Sequence, residues 1–120
     1  MPKEKKFTNM NRDKLHLLHI RDDLSRIEEY SENLDYAEFA KCDREFDAIM
    51  MRVIKIGEEI HSLSEGLKEK YHDIPWHKAV GFRNQVAHGY LEIKPNLAWD
   101  TITTDLPALK KEIEKILNLY

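Results

Sequence analysis

A chain of 120 residues has room for a single domain around one core, and its 42% apolar and 34% charged residues are the balance of a folded helical protein rather than a disordered segment. The net charge of −3 argues against a surface for indiscriminate nucleic-acid binding, which scales with the phosphates neutralised, and leaves only a local basic pocket. The one cysteine, Cys42, excludes an intramolecular disulfide and a zinc site of several cysteines; with no apolar run near the roughly 20 residues of a membrane span, the expectation is a cytoplasmic protein without a membrane partner.

Residues 1–10 read as a flexible lead, and 11–120 as one helical domain. Lys3, Lys5, Lys6, Arg12 and Lys14 make the lead and its junction basic, and Lys110, Lys111 and Lys115 do the same near the other end; both groups read as solvated. Asn11 is the expected N-cap of a first helix reaching about Tyr30, because Leu17, Ile20, Leu24 and Ile27 recur at steps of three and four. His16, His19 and Asp23 share that helix at similar steps. Such a trio can hold zinc or iron, but true sites add ligands from another helix, and none is identifiable from spacing, so the three read as surface polar groups and no metal is expected.

"SENLD" interrupts the pattern. A second apolar stripe through Phe39, Phe46, Ile49, Met50, Val53, Ile54, Ile60, Leu63 and Leu67 predicts the longest helix of the chain, entered through a short turn near Asp35 and Asp43. "YHDIP" breaks it, since Pro75 has no backbone donor and restricts Ile74. The third main helix starts at Trp76 and should close near Gly89 with that glycine in the left-handed conformation. "LEIKPNLA" reads as a loop before a last helix from about Ala98 to Leu117, in which Pro107 is awkward. His61, His72 and His77 read as solvent-facing. Without sustained strand alternation the class is all α, a four- to five-helix up-and-down bundle.

The third helix carries "RNQVAHGY", residues 83 to 90. Trp76, Ala79, Val80, Arg83, Val86, Ala87 and Tyr90 share one face, so Arg83 interrupts an apolar stripe and should meet an anion or a strong acceptor. His77, Gly81, Asn84 and His88 form a second line in which Gly81 leaves room for a close approach. His88 lies in the last turn, where the helix dipole favours a protonated imidazole. Arg83 and His88 are five apart and diverge by about 140°, so a long side chain curling over, or a second copy across a two-fold axis, is needed to bring them together, and the dimer is preferred. Glu58, beside the second helix's seam, is a candidate to orient Arg83. Spacing alone leaves catalytic and purely structural readings of these residues open.

At Arg83, Asn84, His88, Gly89 and Tyr90 the chain resembles the HEPN superfamily and within it the HepT-like toxins, whose motif is arginine, a polar residue, three more residues, histidine, any residue and tyrosine. "IPW" at Ile74 to Trp76, "IGE" at Ile56 to Glu58 and "WDTITTDLP" at Trp99 to Pro107 are similar to further landmarks of that family, so the likeness covers nearly the whole chain. The resemblance implies a dimerising helical bundle that cuts RNA, such as tRNA or mRNA, without metal or cofactor, and a cognate minimal nucleotidyltransferase antitoxin that silences it by attaching AMP to the motif tyrosine. Arg83 and His88 would then be catalytic, Asn84 accessory and Tyr90 the modification site. The alternative is a non-catalytic HEPN-like subunit that binds substrate or nucleotide for a nucleotidyltransferase; an intact arginine and histidine pair favours the nuclease.

Overall fold

Leu17, Ile20, Leu24 and Ile27 are all buried along one side of the first helix, α1 (Pro2–Ser31), as their spacing requires. The structure is a computed structural model that describes residues 2–120, with side chains from Met10 onward. The helix runs back past Asn11, which is exposed inside it rather than capping it. Residues 2–10 of the expected lead are the start of this helix, and the side chains of residues 1–9, those of Lys3, Lys5 and Lys6 among them, lie outside the described residues.

The predicted long second helix is three helices. The first, α2 (Tyr36–Lys41), is capped by Asp35, whose carboxylate accepts from the Glu38 amide at 2.8 Å while the Glu38 side chain accepts from the Asp35 amide at 3.1 Å. Cys42, at φ −95° and ψ 83°, breaks the helix and lets the buried Phe39 turn onto Phe46 and Trp99, with ring centroids 5.3 Å and 5.1 Å apart. Next comes α3 (Asp43–Ser62), of 20 residues, so the longest helix is α1 at 30 residues and not this one. Leu63 leaves helical geometry because Asp13 of α1 takes the next residue: its buried carboxylate accepts from the Ser64 amide at 2.8 Å and the Ser64 hydroxyl at 2.5 Å. Ser64 in turn caps α4 (Glu65–Lys70) by accepting from the Leu67 amide.

The third main helix, α5 (Trp76–His88), starts where Pro75 predicts, and the Trp76 indole donates to the Tyr71 carbonyl at 3.1 Å. Gly89 ends it at φ −141°, not in the left-handed region expected, because the chain goes directly into a single 3-10 turn at Tyr90–Glu92. The expected loop is thus partly helical, and α6 (Pro95–Asp100) starts earlier than Ala98, with Pro95 in its first turn. A π-helical segment at Thr101–Asp105 joins it to α7 (Leu106–Leu117). That wide turn accounts for Pro107: Leu106 bonds back to the Thr101 carbonyl, and the proline then falls in the first turn of α7, where its missing donor costs no helical bond.

Residue pairings fix an up-and-down arrangement. Asp13 meets Ser64, His16 meets Glu59 and Asp23 meets Arg52, so α1 and α3 are antiparallel. Glu58 meets Arg83 and Asp47 meets Tyr90, so α5 runs antiparallel to α3. Lys110 of α7 bridges to Glu28 of α1 at 2.9 Å, which makes this lysine a helix-to-helix tie rather than a solvated charge. Ile49, Met50, Val53, Ile56 and Ile60 from α3 form the middle of one core with the α1 stripe, Val86 and Ile113. The fold is all α among the described residues, as expected.

Asp23 is the second buried carboxylate, and Arg52 donates to it at 2.9 Å with Lys55 at 3.6 Å; bonds to Asp23 and then Tyr30 raise the Arg52 pKa above its ordinary value. Arg52→Met should lower stability by about 2 kcal/mol by leaving a buried carboxylate short of its partner, whereas Lys55→Met should cost less than about 1 kcal/mol; urea unfolding checks both. Glycine substitutions should differ in sign. A Cβ on Gly57 would overlap the Arg83 side chain where α5 crosses α3, so Gly57→Ala should destabilise by about 1–3 kcal/mol. Gly81, with nothing within 4 Å of its added Cβ, should gain up to about 1 kcal/mol as alanine from helix propensity.

Candidate functional site

The buried Trp76 and Val86 hold one side of α5 on the core, and Arg83 comes down on α3 between them. It can do so because position 57 is glycine: the aliphatic part of the arginine lies where a larger residue would project. Glu58, the next residue, accepts from Nη2 of the guanidinium, and Asn84 Oδ1 accepts from Nη1 at 3.0 Å. Nε is buried and has no acceptor among the described residues. The Arg83 side chain is 26% exposed and that of Glu58 54%, so the ion pair lies at the edge of the seam with one face toward solvent. Such a pair holds direction more than it adds stability.

Tyr90 lies two helical turns further on and crosses the same seam. Its hydroxyl donates to the Asp47 carboxylate, and its ring stands edge-on to Phe46 at 5.9 Å. The residue is 38% exposed, which leaves the phenol accessible. His88 is different. It is exposed, makes no side-chain hydrogen bond among the described residues, and lines a cavity of about 410 Å³ with Phe82, Gln85, Glu92 and Lys94, on the side of α5 toward α6. Gly81 lines a larger cavity of about 690 Å³ between α5, the π segment and α7. Asn84 and His77 are exposed.

The structure therefore brings Glu58, Arg83 and Asn84 together and places Tyr90 on their seam, while His88 points elsewhere within one chain. Ala87, expected on the apolar face, is exposed. On this seam the roles of Gly57 and Asp47 were not read from the sequence. Gly57 had a signal, a glycine inside a strongly amphipathic helix, which marks a close approach. Asp47 had none, since its partner is 43 positions away and on another helix.

One candidate set is rearranged. Asp23 is taken by Arg52 and does not join His16 and His19. Glu59 of α3 joins them instead, accepting from His16 Nδ1 at 2.5 Å and His19 Nδ1 at 3.3 Å. His16 and His19 of α1 are thus tied to α3 by hydrogen bonds to this carboxylate. His61, His72 and His77 are exposed as expected.

No helix of the described residues is long and apolar enough to cross a membrane. No solved structure matches the chain. It is 34% identical over 104 residues to "Gamma-glutamylcyclotransferase and putative RNase" of Methanocaldococcus jannaschii, a match spanning 87% of this chain and 47% of that protein, about half its length. A "Putative RNase" of the same organism is 31% identical over 101 residues, 84% of this chain and 93% of the relative. The "Probable ribonuclease HepT" of Thermococcus cleftensis is 27% identical over 98 residues, 81% and 88% of the two chains. The family model described as ribonuclease HepT-like matches residues 20–116, a span that takes in Glu58, Arg83, His88 and Tyr90, and the chain belongs to that family of the HEPN superfamily.

Proposed function

We propose that this protein is an endoribonuclease that cleaves RNA without a metal in the reaction, and that it is the toxin of a pair whose minimal nucleotidyltransferase antitoxin silences it by attaching AMP to Tyr90. The observation that carries the reading is Arg83, a permanent cation fixed at the α3–α5 crossing by Glu58 and Asn84, with Nε unpaired among the described residues and one face open to solvent. An arginine so held is suited to a phosphoryl group, whose oxygens accept two parallel bonds from its fork. The ribonuclease names of the relatives support the same chemistry.

Cleavage needs a base to take the proton of a ribose 2′-hydroxyl, an acid to protonate the departing 5′-oxygen, and a cation for the charge on the phosphoryl oxygens between them. The 2′-oxygen bonds to phosphorus, the bond to the 5′-oxygen breaks, and the products are a 2′,3′-cyclic phosphate and a 5′-hydroxyl. His88 moves the protons and Arg83 meets the charge. Because these two diverge on one α5, a second copy across a two-fold axis completes the site, with one His88 as base and its mate as acid.

Silencing acts on the same seam. The Tyr90 oxygen attacks the α-phosphorus of ATP, pyrophosphate leaves, and Asp47, already the acceptor of the phenol hydrogen bond, receives the proton. The new phosphodiester loses that bond and is repelled by Asp47, which favours its pairing with Arg83 and obstructs the path of RNA.

In a cleavage assay with EDTA present, wild type should cut RNA while folded Arg83→Ala and His88→Ala lose at least about 100-fold in rate. No cleavage by unmodified wild type would overturn the nuclease reading, and recovery of 3′-hydroxyl ends would overturn its mechanism. Tyr90→Phe should keep cleavage and take no AMP from the transferase, as read by mass spectrometry; a phenylalanine variant that still carries AMP and is still silenced would place the modification elsewhere.

A further inference from the structure

Glu59 is the residue beside Glu58, about 100° round α3 from it, so the two carboxylates face different neighbours: Glu58 faces α5, and Glu59 faces α1. Three residues apart on α1, His16 and His19 present their rings nearly perpendicular, at 79° with centroids 6.5 Å apart, and both Nδ1 atoms are directed at the two oxygens of Glu59. The donor atoms of all three residues lie within 4.8 Å of one another. Among the described residues Glu59 forms ion pairs with these imidazoles alone. Its cationic neighbour one turn earlier, Lys55, is drawn to Asp23 at 3.6 Å.

We propose that His16, His19 and Glu59 bind one divalent cation of the zinc class, clamping α1 to α3 at a place separate from the Arg83 seam. Two imidazoles and one carboxylate are the donor set that suits zinc and its transition-metal neighbours, and three protein ligands leave further positions for water. The side chains of His16 and Glu59 are about a quarter exposed, at 25% and 23%, and that of His19 is 48% exposed, so a hydrated ion has access without unfolding either helix. On binding, the metal takes the Nδ1 lone pairs, with each ring proton on Nε2, and replaces the hydrogen bonds to Glu59 by coordination. The cation joins helices that also meet through apolar contacts, through Asp13–Ser64, and through Arg52 and Lys55 with Asp23 and Tyr30, so its effect is on the stability of the bundle.

The test uses the full chain freed of metal by EDTA and dialysis, then titrated with zinc chloride alone while thermal unfolding is followed by circular dichroism. At zinc about a hundredfold above its Kd, wild type should gain roughly 10 °C in Tm, saturating at one ion per chain. His19→Ala and Glu59→Gln should keep metal-free helical content and lose most of that gain, while His61→Ala should retain it. Cobalt(II) absorption gives a second reading: d–d bands in wild type, lost in His19→Ala. No Tm gain in wild type, or an equal gain and an equal cobalt spectrum in His19→Ala and Glu59→Gln, would overturn the site and leave a hydrogen-bonded histidine–glutamate contact.

Discussion

The close crossing of α5 over α3 at Gly57 is the constraint on which the candidate site depends. A side chain at position 57 would occupy the space through which Arg83 runs, and without that path the guanidinium would reach neither Glu58 nor the edge of the seam. Four consecutive residues of α3 then divide the work of the molecule. Ile56 is buried in the core, Gly57 admits the neighbouring helix, Glu58 holds the arginine, and Glu59 turns to the histidines of α1. An α-helix makes this division possible because successive side chains point about 100° apart.

Much of this order is legible in the sequence, and the gaps have physical causes. The stripes of α1 and α7 and the start of α5 at Trp76 follow from periodicity and from Pro75, which are local signals. The second stripe misleads because a helical repeat persists through breaks made by other means: Cys42 interrupts it, and Asp13, 51 positions away, terminates it at Ser64. Gly89 does not need a left-handed turn, since the chain continues into a 3-10 turn. Pro107 is accommodated by a π segment, a device that propensity does not announce. At the site, the arginine on an apolar face announces its need for an acceptor. Which acceptor meets it, and that Asp47 faces Tyr90 and Glu59 faces His16, are matters of helix pairing that no single-helix spacing contains.

The arrangement also divides the motif residues between two faces of α5. Arg83 and Tyr90 lie on the α3 side of α5, whereas His88 faces the cavity toward α6. A motif spread over two faces of one helix suits a reaction centre shared between copies, where each face has its own partner. In the proposed reading, the arginine is the fixed part of that centre and the exposed histidine the adaptable one, while modification at Tyr90 acts on the fixed part. The Glu59 cluster lies on the α1 side of α3 and the Arg83 seam on the α5 side, so in the proposed reading an ion at the first would leave the second untouched.

The most direct measurement is a crystal structure of the His88→Ala protein, which should bind without cutting, in complex with a short RNA. A phosphate is expected within hydrogen-bond distance of the Arg83 guanidinium, with the α5 helices of two copies flanking the strand. RNA held on another face, with no phosphate at Arg83, would contradict the proposed reading.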